Sequence, residues 1–154
     1  MKPEPTWLAI EVVLAVHEQL VAEHGGSPHL RDRGLLESAL ASPRHRFSYG
    51  EDDVFVLATA YANSITRNHP FIDGNKRTAF VAAYMFLGIN GWTLTAPETQ
   101  VVSMMLGLSD RTISEKEFSV WLRMACVPRK KVKPAAKHRK RSRPLRRQRK
   151  TKDG

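Results

Sequence analysis

The chain has 154 residues, one cysteine, and 25 Lys+Arg against 15 Asp+Glu, for a formal net charge of +10. That length suits one domain, the 42% apolar fraction suffices for a core, and a lone cysteine excludes a scaffold stapled by internal disulfides. The charge is segregated: residues 128–154 hold 14 Lys+Arg and one acid, whereas residues 1–127 hold 11 Lys+Arg and 14 Asp+Glu.

The sequence therefore divides into a mildly acidic body, 1–127, and a basic tail, 128–154. In chain order, the body begins without an apolar signal core, and no apolar run approaches the ~20 residues of a membrane helix. The expected compartment is the cytoplasm, with no membrane contact. Apolar residues at helical spacing (Trp7, Ile10, Val13, Leu14, Val21) predict a first helix over 6–24, ended by Gly25-Gly26. A short helix over 33–40 follows, stopped by Pro43, and Phe47-Ser48-Tyr49-Gly50 reads as extended or turned. The next helix, 52–68, carries Phe55, Ala58, Tyr61, Ala62 and Ile65 on one stripe, with acids at its positive end.

A polar break over 69–75 leads into a helix over 76–89 that is apolar nearly all round and is expected to be the central one. Trp92-Thr93-Leu94 suggests a short strand, Pro97 opens a helix to about Leu108, and Ser114-x-x-Glu117 is a capping box for a last helix ending near Ala125. The fold class is all-α, a compact bundle of about six helices. The tail offers almost nothing to bury, and its like charges repel, so it is expected to be disordered. Such a charge run suits contact with nucleic acid or the ribosome, although it has no aromatics for base stacking.

Residues 69–78, His-Pro-Phe-Ile-Asp-Gly-Asn-Lys-Arg-Thr, carry the chemistry. Here a loop feeds the N-terminus of a buried helix, whose free N–H groups and dipole form an anion site. Gly74 permits the turn, and Lys76 and Arg77 add cations. Asp73 offers an oxygen ligand suited to Mg²⁺ shared with phosphates, or else a helix N-cap. His69 can act as a base near neutral pH. Together these are the parts of a phosphoryl-transfer site. The spacing of a P-loop is absent.

The same stretch resembles the Fic/Doc signature His-x-Phe-x-(Asp/Glu/Asn)-(Gly/Ala)-Asn-(Gly/Lys)-Arg at His69, Phe71, Asp73, Gly74, Asn75, Lys76 and Arg77. The segments Glu23-His24-Gly25-Gly26, Arg31 to Leu40 and Phe47 to Glu51 extend the likeness over about residues 8–126, and resemble the death-on-curing (Doc) branch of type II toxin-antitoxin systems. Lys76 and Phe80 stand where the nucleotidylating Fic branch has Gly and a second Arg.

The resemblance implies a toxin kinase that moves the ATP γ-phosphate to a Ser or Thr hydroxyl of a protein, with ATP and Mg²⁺ as cofactors. The implied target is the translation factor EF-Tu, so that translation is inhibited. His69 would be the base, Asp73 the metal ligand, Lys76 and Arg77 the phosphate clamp, and Asn75 an orienting group; Phe71 would be a buried anchor. The alternatives are transfer of an AMP group, or a nucleic-acid-binding protein acting through the tail. No Glu is followed by Gly or Asn, so the family's self-inhibitory motif is missing and a cognate antitoxin is the expected restraint. Phe47-Ser48-Tyr49 is a candidate for the extended flap that docks a target backbone. His17 and His24 read as structural or surface residues, Met104-Met105, Trp7 and Trp121 as core packing, and Cys126, near the end of the last helix, as no nucleophile.

Overall fold

In a computed structural model, residues 2–130 are described; most of the basic tail, with the disorder and nucleic-acid contact expected of it, lies outside the described residues. The elements run α1 (Ile10–His24), α2 (Arg33–Ser48), α3 (Val54–Asn68), α4 (Asn75–Ile89), β1 (Trp92–Leu94), α5 (Glu98–Asp110), α6 (Glu115–Ala125) and β2 (Cys126–Pro128). The expected six-helix, all-α bundle is present. No helix among the described residues is long and apolar enough to cross a membrane.

The hub of the bundle is α3, not α4 as its all-round apolarity suggested. α3 packs on α2, α4, α5 and α6 and buries nine residues, among them Phe55, Leu57, Tyr61 and Ile65. Ala58 and Ala62 on α3, with Ala79, Ala82 and Ala83 on α4, are buried; such small side chains let two helix backbones approach closely. The outer flank of α4 leaves Tyr84 and Ile89 exposed, which is the apolarity that misled.

The first helix starts at Ile10 rather than near Thr6. Upstream, Pro3 and Pro5 cannot donate helical hydrogen bonds, and tertiary partners claim the groups that follow. The Asn90 side chain accepts from Thr6 N (2.9 Å) and donates to Thr6 O (2.9 Å). The Tyr61 hydroxyl accepts from Leu8 N at 3.1 Å in the interior, and burial there pushes the Tyr61 pKa up. Trp7 then packs on Phe86 and Phe47.

The second helix does not stop before Pro43 but carries it inside, running to Ser48. Proline removes the amide that would bond the carbonyl four residues back, here that of Ala39. The Ser64 hydroxyl on α3 supplies a replacement, lying 2.8 Å from Ala39 O and 2.7 Å from Ala60 O. Phe47 and Ser48 are therefore helical and Tyr49 is the C-cap, followed by a turn at Gly50 (φ 110°). This replaces the extended flap expected at 47–49.

The remaining ends follow local chemistry. Asp53 caps α3 through Phe55 N (2.9 Å) and pairs with Arg123, whose guanidinium lies 4.9 Å over the Phe55 ring. The capping box of α6 is closed, with Glu117 N donating to Ser114 Oγ (3.0 Å) and Ser114 N to Glu117 Oε1 (2.8 Å).

The last helix ends at Ala125 as expected, and Cys126, its C-cap, opens β2. β2 pairs antiparallel with β1, matching Trp92 to Pro128 and Leu94 to Cys126. The signal for it is Val127-Pro128, since a residue before proline is driven to extended backbone. Burial pushes the Cys126 thiol up to about 11.

Two outcomes follow. Ser64→Ala, which leaves the Ala39 carbonyl unpaired, should lower unfolding free energy by about 1–2 kcal/mol in denaturant titration; Pro43→Ala, which restores an amide, should reduce that cost in a double-mutant cycle. Cys126 should resist alkylation by iodoacetamide at pH 7.5 until the chain is unfolded, because the thiolate is the reactive form.

Candidate active site

The loop between α3 and α4 is held from three sides before it presents any chemistry. His69 ends α3 in the left-handed region (φ 52°, ψ 54°), a conformation that costs a residue with a side chain free energy and persists only where surroundings enforce it. Arg31 provides the enforcement: its Nε donates to His69 O (2.7 Å) and one terminal nitrogen to Asn68 O (3.0 Å). Its own amide and that of Asp32 donate to Pro70 O at 2.7 and 3.0 Å. Ile72 N donates to His29 O (3.1 Å), and Leu30 bridges Phe71. The strand-like partner of the loop is thus residues 29–32.

From below, Phe71 is fully buried, as expected of an anchor. The Asn75 side chain closes on both of its backbone groups, accepting from Phe71 N (3.0 Å) and donating to Phe71 O (2.8 Å). The Asn75 side chain is therefore a loop clasp, with its oxygen and one of its two amide hydrogens engaged by Phe71. Its amide N–H still stands at the start of α4.

From the side, Asp73 Oδ2 accepts from Ser27 N at 2.7 Å. Gly26 lies against it so closely that a Cβ there would sit 3.0 Å from Asp73 Cβ. Asp73 does not cap α4: the N-cap is Gly74 (φ 83°), whose carbonyl accepts from Thr78 N.

What the loop presents is a cleft of about 530 Å³. His69, Asp73, Gly74, Asn75, Lys76 and Arg77, the whole expected set, line it together with Thr66, Ile72 and Phe80. The opposite wall is α5, through Glu98, Val101, Val102, Met105, Leu106 and Ser109. Arg67 sets that wall by donating to Leu108 O (2.7 Å) and Ser109 O (2.9 Å) at the C-terminal end of α5.

His69, Asp73, Lys76 and Arg77 are exposed. Neither Lys76 nor Arg77 forms an ion pair among the described residues. The side at the N-terminus of α4 is thus cationic, where free amides and the dipole favour an anion; the α5 side is mostly apolar, with Glu98 and Ser109 its polar members. The geometry suits a ligand with a charged phosphate end and a flat, less polar end.

A Mg²⁺ ion commonly takes one or two carboxylates and completes its shell with water and substrate phosphates. Asp73, with Oδ2 engaged by Ser27 N and Oδ1 without a partner among the described residues, fits that sharing. Among the described residues no group of three or more His, Cys, Asp and Glu forms a protein cage. A second, more open groove of about 620 Å³ is lined by Ser38, His45, Arg46 and Tyr49 and contains none of the expected site residues.

The residues from the α1 end to this cleft match a known family. A family model for the Fic/DOC family covers residues 7–87. The chain belongs to the Fic/DOC family. Among curated relatives, the toxin Doc of Mycolicibacterium smegmatis is 47% identical over 75 residues, which is 47% of this chain and 57% of that protein. The protein kinase doc of Escherichia phage P1 is 35% identical over 82 residues, covering 53% of this chain and 65% of the relative. The matches thus span under two thirds of these relatives' own lengths, and both relatives are named Doc. In the Fic/DOC frame, the residues missed from sequence are Arg31, which lay inside a quoted segment without a role, and the α5 wall, which no local signal marked.

Arg31→Met keeps the backbone pairing but removes the guanidinium from Asn68 and His69. Hydrogen exchange at the Asp32 and Ile72 amides should rise at least about tenfold, because local opening becomes cheaper. Unchanged exchange there would mean that Arg31 does not hold the loop.

Proposed function

We propose that this protein is a Doc-type toxin kinase that transfers the ATP γ-phosphate to a Ser or Thr hydroxyl of a protein. The observation that carries this reading is the convergence of His69, Asp73, Lys76 and Arg77 on one cleft at the N-terminus of α4. The two relatives, one named a toxin and one a protein kinase, support the same class. EF-Tu is the proposed target, with translation inhibited as the consequence. A cognate antitoxin is the proposed restraint.

The chemistry asked of the residues is modest, because phosphoryl transfer depends mainly on positioning and charge stabilisation. His69, exposed at the cleft and held by Arg31 through its backbone, takes the proton of the acceptor hydroxyl. The hydroxyl oxygen forms the new bond to the γ-phosphorus while the bond to the β–γ bridging oxygen breaks, and ADP leaves with that electron pair. Lys76, Arg77 and the free amides at the start of α4 hold the phosphates against this charge movement. Asp73 would hold Mg²⁺, which when bound neutralises phosphate charge. Phe80, on the cleft wall, contributes no cation to a second phosphate position, which favours γ-phosphate transfer over transfer of AMP.

The deciding experiment incubates the full chain with Mg²⁺, EF-Tu and ATP labelled at either the α- or the γ-phosphate. Label on protein only from γ-labelled ATP is expected; label from α-labelled ATP would replace this reading with nucleotidyl transfer. His69→Ala and Lys76→Ala should each lower transfer at least about a hundredfold with unchanged far-UV circular dichroism. Wild-type rates in either variant would refute the site.

A further inference from the structure

His17 is a buried imidazole on α1, 2% exposed, that touches the catalytic loop in two ways. Its ring stacks on Phe71 with centroids 3.7 Å apart and planes 9° from parallel. Its Nε2 lies 2.8 Å from the Asp73 carbonyl oxygen. A carbonyl only accepts, so Nε2 carries the proton and donates. The bond is part-buried, so water competes with it less than at an exposed site.

The direction of that bond has a consequence on the other face of the loop. No peptide bond among the described residues is cis, and in a planar trans peptide the C=O and N–H point in opposite directions. The Asp73 carbonyl points at α1, so the amide of the same peptide unit, Gly74 N–H, points away from α1. Gly74 separates the two sides: a Cβ on it would meet His17 and Val21 at 3.5 Å on the α1 side, while its other side lines the cleft beside Lys76 and Arg77. No acceptor among the described residues takes the Gly74 N–H. A donor aimed in advance at an anion site is the arrangement that stabilises developing negative charge without reorganisation.

We infer that His17 is a positioning residue that, by holding the Asp73 carbonyl toward α1, turns the Gly74 N–H into the cleft as a further donor to bound phosphate. This rests on the reading of the cleft as a nucleotide-phosphate site. His17 touches no substrate atom; it acts through the peptide it orients. The phosphate cradle is then built by α1 as well as by α4.

Two variants separate the ring from the donor. His17→Phe keeps a flat ring against Phe71 and removes the N–H, while His17→Gln keeps an N–H donor and removes the ring. In calorimetric titration with Mg²⁺–ATP, His17→Phe should bind about tenfold more weakly, the worth of one hydrogen bond, and His17→Gln should stay within about threefold of wild type. In ¹⁵N spectra of the wild-type chain, the Gly74 amide should shift on addition of Mg²⁺–ATP together with the amides of residues 75–77. Wild-type affinity in His17→Phe, or a Gly74 amide that stays still while those of 75–77 move, overturns the inference and leaves the phosphate site intact. A wild-type chain that binds no ATP, with all four amides unmoved, overturns both. Should His17→Phe fail to fold, the Gly74 amide in wild type and in His17→Gln decides by the same criteria.

Discussion

The Asn75 carboxamide, bonded to both backbone groups of Phe71, is the contact on which the cleft depends. It joins the first residue of α4 to the middle of the loop before it, so the loop cannot move without disturbing the start of the helix. A fully buried phenyl ring beneath makes that motion costlier still. Around this clasp, Arg31 fixes the His69 end, Ser27 fixes the Asp73 side chain, and His17 fixes the Asp73 carbonyl. Four separate parts of the chain thus impose one backbone path on six residues. The left-handed conformation of His69 is sustained by that agreement.

Such a scaffold suits a site whose chemistry needs little from any one side chain. The side chains of His69, Lys76 and Arg77 are exposed, but each leaves a backbone that is pinned. Charge works in the same sense. Elsewhere among the described residues three arginines are paired with carboxylates, Arg33 with Glu37, Arg46 with Glu115 and Arg123 with Asp53. Lys76 and Arg77 have no such partner among the described residues, and they stand at the positive end of α4, where an anion gains from both. The facing α5 wall supplies mostly apolar surface, Val101, Val102, Met105 and Leu106, with Glu98 its one carboxylate, so one cleft offers two environments to the two ends of the proposed nucleotide.

The packing that carries this arrangement tolerates local misfits where a neighbour compensates. Pro43 sits inside α2 because a serine on α3 reaches the carbonyl that proline leaves without an amide. The N-terminal segment stays extended because Asn90 and Tyr61 hold its backbone more effectively than another helical turn would. Both are cases of tertiary partners overriding local propensity.

Much of the fold and most of the site can be read from residues alone. Periodicity marked the helices, Gly25-Gly26 and Ser114-x-x-Glu117 marked two of their ends, and the spacing in residues 69–77 brought the site residues into one loop-to-helix junction. These signals are local, acting within one or two helical turns, which is why a linear reading detects them. Only the tertiary structure decided what came from a distance: that α3 is the hub, that the flap position is a helix end, that α5 closes the cleft, and that the Asn75 and His17 side chains serve the loop backbone. Each of those depends on which groups meet across tens of residues, and a hydrogen-bond partner or a packing face so remote leaves no periodic trace in the sequence that precedes it.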